Sequence, residues 1–202
     1  CAHSDTNDGT LVSSLEELRT EISRVEGDGI DDIIYLQSGT YVFDEENPIK
    51  YHAKGTVEKI SIIGCHPDDV VIDGNNLSYI FHFLKSDEEN QNTGWKAPFP
   101  SLYLEGFTIK NGVYPYSLSD TAGDTLDQLG YKGTEGGGLG SERFIGKIKN
   151  MKFLNNQGAF QGTIETEILD SHFENNKVCA FFFCGLRKFY PQQNQKSSYL
   201  QK

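Results

Sequence analysis

The chain has 202 residues, 37% of them hydrophobic, and its 29 acidic against 18 basic side chains give a net charge of −11. This length suits one domain with a sizeable core, and the charge excludes a basic face for DNA, RNA or anionic lipid. No apolar run approaches the roughly 18 residues of a bilayer span, and 21 Gly, 13 Phe and 10 Tyr against six Pro fit a turn-rich β protein.

Residues 1–9 read as a polar tether. It starts Cys1-Ala2-His3-Ser4-Asp5 and resembles the beginning of a mature bacterial lipoprotein, whose N-terminal Cys is acylated after signal-peptide cleavage. The resemblance implies lipidation at Cys1, membrane contact through the lipid anchor alone, and a place in the bacterial cell envelope. Ala2 rather than Asp at the second position implies the outer membrane. The remaining thiols, Cys65, Cys179 and Cys184, show neither a disulfide framework nor a C-x-x-C metal spacing.

Residues 10–29 read as an N-terminal capping helix. Leu11, Leu15, Leu18, Ile22 and Val25 recur at helical spacing. Ser13 and Ser14 each precede a Glu by three residues, which is a capping-box start, and Gly27-Asp28-Gly29 ends the helix. A helix here would cover the open end of a repeat array and its unpaired strand edges.

Residues 30–176 carry short strands at coil spacing. Asp32–Leu36, Gly turn and Thr40–Phe43 form the first coil; Ile60–Ile63, Val70–Ile72 and Ile80–Phe83 form the next. Leu102–Leu104 and Phe107–Asn111 begin another, with Phe and Asn one residue further apart than in later repeats, so a different turn is expected there. Polar insertions near 85–100 and 113–135 interrupt the rhythm, and insertions on a rigid repeat scaffold are where binding surfaces sit. Their aromatic residues Trp95, Tyr114 and Tyr116 are candidate contacts for a glycan or a protein.

The organising stretch is one short sequence written twice. Ile148-Lys-Asn-Met-Lys-Phe153-Leu-Asn155-Asn156 returns twenty residues on as Ile168-Leu-Asp-Ser-His-Phe173-Glu-Asn175-Asn176. Apolar residues at fixed offsets would stack on the same positions of the next coil. The Asn pair suits a tight turn, since Asn tolerates left-handed backbone and its amide can bond to the neighbouring rung. The Phe-x-x-Asn rungs, with Gly136-Gly137-Gly138-Leu139, resemble pectin-lyase-like parallel β-helix proteins, most of all those with polymorphic outer-membrane-protein-type repeats. That resemblance implies an all-β, right-handed parallel β-helix solenoid of about five coils behind the capping helix.

Residues 177–202 depart from the pattern. All 29 acids lie before them, while the tail holds five Lys or Arg, an apolar Phe181-Phe182-Phe183 run and a polar end. The stretch reads as an atypical tail: either it is foreign to the β-helix, which would leave the last rung open to edge-to-edge self-association, or it holds a final buried strand and a disordered end.

Chemistry is sparse. Asp68, Asp69 and Asp73 are the strongest acidic group and the candidate Ca²⁺ ligands, although a turn with solvated carboxylates accounts for them better. Glu165 and Glu167, or Asp170 and His172, stand two apart on a strand, a spacing too common to mark a glycosidase. No cofactor and no catalytic residue is assigned. A surface-exposed, lipid-anchored protein for adhesion or for binding a glycan or host protein, without catalysis, is the expectation. The alternative is a carbohydrate-active enzyme, a polysaccharide lyase or glycoside hydrolase, truncated before or within its active site.

Overall fold

The computed structural model describes residues 9–53, 58–85, 99–113, 137–142, 144–157, 160–162, 166–176, 181–183 and 186–190. They form a mainly β molecule with one helix. The chain enters through β1 (Thr10–Val12) and α1 (Leu15–Val25). A first circuit follows as β2 (Asp32–Leu36), β3 (Gly39–Val42) and β4 (Ile49–Ala53). The second is β5 (Lys59–Ile63), β6 (Val70–Asp73) and β7 (Phe81–Lys85); the third is β8 (Ser101–Glu105), β9 (Thr108–Lys110) and β10 (Leu139–Glu142). The fourth is β11 (Ile145–Lys149), β12 (Lys152–Leu154) and β13 (Phe160–Gly162). β14 (Thr166–Leu169), β15 (His172–Glu174) and β16 (Phe181–Phe183) make the fifth, and β17 (Leu186–Tyr190) comes last.

Each circuit gives one strand to each of three sheets, always in the same order. The first sheet runs β1-β2-β5-β8-β11-β14-β17, the second β3-β6-β9-β12-β15 and the third β4-β7-β10-β13-β16. Every pairing is parallel, which leaves identical positions of successive circuits side by side. Three inward columns result. Ile34, Ile62, Leu104, Ile148 and Ile168 line the first sheet. Tyr41, Ile72, Ile109, Phe153 and Phe173 line the second, and Ile49, Phe81 and Leu139 line the third. Phe153 and Phe173 stack at 4.7 Å with ring planes 1° apart. Burying a side chain such as Phe153, which is 0% exposed, stabilises by about 1.5–3 kcal/mol.

The twofold-written sequence therefore stacks as its spacing predicts: Ile148 on Ile168 and Phe153 on Phe173. Asn155 and Asn175 turn the chain with φ of 56° and 53°. The following Asn builds a ladder. The Asn156 amide oxygen accepts from Gly112 N (2.8 Å), and the Asn176 amide oxygen accepts from Asn156 N (2.9 Å). The Asn156 and Asn176 amide nitrogens donate to the Ile109 and Phe153 carbonyls of the circuit before (3.1 and 2.9 Å). Gly112 sits where a Cβ would come within 1.9 Å of the Gly137 carbonyl oxygen, so within the third circuit the backbone before and after the insertion closes on itself with no room for a side chain.

Several expectations change. Register sets Ile109, not Phe107, opposite Phe153, so Ile109-Lys-Asn111 has the same spacing as Phe153-Leu-Asn155. The turn is also the same, with Asn111 at φ 55°. Leu11 is not helical: it lies in β1, 54% exposed, with Thr10 and Val12 paired to Ile34 and Leu36. The helix starts at Leu15 because Ser14 caps it, accepting from Glu17 N at 3.1 Å, while Glu17 reaches back to Ser13 N at 2.6 Å. Its buried residues Leu18, Ile22 and Val25 face the sheets, and the helix packs on β1, β2 and β4. Within the stretch read as an atypical tail, β16 and β17 extend the third and first sheets. β17 joins with a register shift beside Thr166 and Glu167.

Candidate functional site

The outer face of the first sheet follows from strict alternation. In Leu102-Tyr103-Leu104-Glu105 and Ile145-Gly-Lys147-Ile-Lys149 the residues between the core positions point outward. Parallel register then lines up Ser61, Tyr103, Lys147 and Glu167 in one outward column, and Ile63, Glu105, Lys149 and Leu169 in the next. Of these, Tyr103, Lys147, Lys149, Glu167 and Leu169, together with Lys59, line an open groove of about 720 Å³ across β5, β8, β11 and β14.

The groove is held by a compact polar network. The Lys59 ammonium lies 5.8 Å from the centroid of the Tyr103 ring. The Tyr103 hydroxyl donates to one oxygen of Glu105, and Lys149 Nζ reaches the other at 2.7 Å. Lys147 Nζ stands 3.3 Å from Glu167 Oε2, both side chains partly in solvent. Burial and then the bond to Glu105 push the Tyr103 hydroxyl well above its ordinary pKa. Burial works to raise Glu105, but hydrogen bonds from Lys149 and Tyr103 outweigh it and hold the carboxyl below its usual value. The same bond to Glu105 raises Lys149. All three groups are moved away from neutrality, so they keep fixed charge states across physiological pH.

The acidic group singled out in the sequence lies on the outer side of the second sheet, at and before β6. Asp73 Oδ1 accepts from Asn75 N (2.9 Å) and Asn111 Nδ2 (2.8 Å), and Asp73 Oδ2 pairs with Lys110 at 3.1 Å. Burial works to raise it; these bonds win and lower it. Asp68 is paired with Lys152, whose hydrogen bond lowers its carboxyl, and stands 3.6 Å from His66 Nδ1. Asp69 meets the first circuit through its backbone carbonyl, which accepts from Gly39 N at 2.8 Å. The Asp68 and Asp73 carboxylates are thus engaged by different lysines, Lys152 and Lys110. Among the described residues no group of three or more His, Cys, Asp or Glu is placed to hold a metal ion.

Glu167 belongs to the groove, whereas Glu165 lies outside the described residues. Asp170 sits past β14 in a left-handed turn (φ 48°), and His172 in β15 meets Glu174 at 3.0 Å, so these two do not share a strand. Cys1, Trp95, Tyr114 and Tyr116 also lie outside the described residues. Cys65 is disulfide-bonded, a bond that the cysteine spacing did not reveal. The residues that sequence reasoning missed are Lys59, Tyr103, Glu105, Lys147 and Lys149. Their signal was present in the alternation around Leu102 and Ile148, but Glu105 and Lys149 are 44 residues apart in the chain.

No protein-family model, curated protein or solved structure matches the chain. The functional reading therefore rests on architecture and on the groove.

Proposed function

We propose that the protein is a parallel β-helix binding module that works outside the cytoplasm and holds a glycan chain in the groove of its first sheet without transforming it. The β-helix reading is supported by five passages through three parallel sheets in constant order, with one inward column per sheet and Asn turns at the corner. Work outside the cytoplasm is supported by the disulfide at Cys65, because such bonds persist in oxidising compartments.

The groove carries the ligand assignment. An aromatic ring for stacking on a sugar face, flanked by lysine ammonium groups and a carboxylate for hydroxyl contacts, is the composition of a polar-polymer site. Binding rather than turnover is supported by the electrostatics: an acid–base pair needs a group poised near neutrality, and Tyr103, Glu105 and Lys149 are all driven from it.

The test is a glycan array followed by titration of the best hit against wild type, Tyr103→Ala and Lys147→Ala. A groove site predicts about tenfold weaker binding in each variant, equivalent to about 1.4 kcal/mol. Unchanged affinity in both would remove the groove assignment. Cleavage of the bound glycan during the titration would replace the binding module by a carbohydrate-active enzyme.

A further inference from the structure

We infer that Asn76 is the acceptor of an N-linked glycan, so that the protein is itself glycosylated on the turn between β6 and β7. The inference rests on the reading that the protein works outside the cytoplasm, the setting in which such transfer takes place. The turn carries Asn76-Leu77-Ser78, the Asn-x-Ser pattern that an oligosaccharyl transferase recognises.

Asn76 stands in the open. Backbone holds the turn: Leu77 N donates to the Gly74 carbonyl at 2.9 Å, and Asn76 N donates to the Asn111 carbonyl at 3.0 Å. The amides of nearby Asn75 and Asn111 are engaged, donating to the Phe43 carbonyl and to Asp73 Oδ1. Asn76 is exposed, and its own amide makes no hydrogen bond among the described residues. Its φ of 56° suits Asn or Gly, so backbone geometry accounts for the Asn. It does not account for Ser78. That residue is 1% exposed, and its hydroxyl is buried without a hydrogen bond. A buried, unpaired hydroxyl destabilises a fold, and Ala would fill nearly the same space without one. The hydroxyl thus serves something other than packing, and two residues after an open Asn it is the group the transferase reads. Leu77 between them is 38% exposed, an apolar side chain that a glycan on Asn76 would shield.

The burial of Ser78 also sets the order of events, because its hydroxyl is accessible only before the chain folds. In the transfer, the Asn76 amide nitrogen attacks the anomeric carbon of an oligosaccharide carried on a lipid diphosphate. A C–N bond forms and the C–O bond to the diphosphate breaks. The lipid diphosphate leaves with the electron pair, and the amide gives up one proton. In the folded protein the turn joins a strand of the second sheet to one of the third, so the glycan leaves the first-sheet groove open.

The experiment is mass spectrometry of the full chain recovered from the cells that produce it. The tryptic peptide 60–85 holds both Asn76 and Cys65. Fragmentation reads sugar on the Asn, and alkylation before and after reduction reads the thiol. The expected result is a Cys65 protected until reduction and an Asn76 carrying sugar mass, with Asn76→Gly and Ser78→Ala both unmodified. A bare Asn76 beside an oxidised Cys65, or sugar that persists in Ser78→Ala, would overturn the inference alone. A bare Asn76 beside a free Cys65 thiol would remove the reading outside the cytoplasm as well. Compared as unglycosylated chains, Ser78→Ala should unfold at a Tm no lower than wild type. A clear loss of Tm would give the hydroxyl a packing role and sink the proposal.

Discussion

At the scale of single residues, the Asn pair separates two kinds of physics within one turn. Asn156 is 0% exposed, and its amide serves Gly112 N and the Ile109 carbonyl. Asn156→Leu keeps the volume but leaves a buried N–H without a partner and a carbonyl one bond short, so urea denaturation should show a loss of about 2–4 kcal/mol. Its neighbour Asn155 is needed for backbone (φ 56°): Asn155→Gly should be close to neutral and Asn155→Val should cost about 1–2 kcal/mol. Charge adds a test of sign. Glu105 and Asp73 lie below the ordinary carboxyl value, so their stabilisation is complete at neutral pH and lost as pH falls through the carboxylate range. Asp32 is shifted the opposite way, by burial and then by the negative charge of Asp28, and its Oδ2 is buried without a hydrogen bond. The fold disfavours its charged form, so stability falls as pH rises from the ordinary Asp value through the raised one. Asp32→Asn should therefore raise the urea midpoint at pH 7 and leave it nearly unchanged at pH 3; a gain confined to acid would show the sign to be wrong.

At the scale of elements, α1 is the piece whose loss uncovers the end of the sheets. Leu18, Ile22 and Val25 are 0–1% exposed beneath it. Leu18→Ala should cost about 2–5 kcal/mol, and Ser14→Ala, which removes only the cap, about 1 kcal/mol by thermal or urea unfolding. The helix was legible because a 3.6-residue apolar period and a capping Ser are local signals. Leu11 fits the same period, yet pairing of β1 with β2 overrides it, and that pairing is invisible locally. β4 was unreadable for a related reason: Ile49-Lys-Tyr51-His-Ala53 becomes a strand through its register with β7. The repeat around Phe153 and Phe173 was legible because no insertion falls inside it. The groove was not, because insertions separate β5 from β8 and β8 from β11. The outward alternation of Tyr103 and Lys147 reads as a site only once the strands are side by side.

At the scale of the whole molecule, each circuit touches chiefly the one before and the one after, so stability should be close to a sum of neighbouring terms. Double-mutant cycles test this. Phe153 and Phe173 stack at 4.7 Å in adjacent circuits, so Phe153→Leu and Phe173→Leu should couple by about 0.5–1.5 kcal/mol. Ile34 lies in the first circuit, on β2, four strands from β14 in the first sheet, with β5, β8 and β11 in between. Ile34→Val combined with Phe173→Leu should therefore add within about 0.3–0.5 kcal/mol. Strong coupling of the distant pair would mean that the circuits unfold as a globule with one shared core. Additivity there, with coupling between neighbours, is what a core built as stacked rungs requires. The groove variants Tyr103→Ala and Lys147→Ala can be read as binding effects because both side chains stand on the outward face of β8 and β11, while the stacked core column is formed by Leu104 and Ile148.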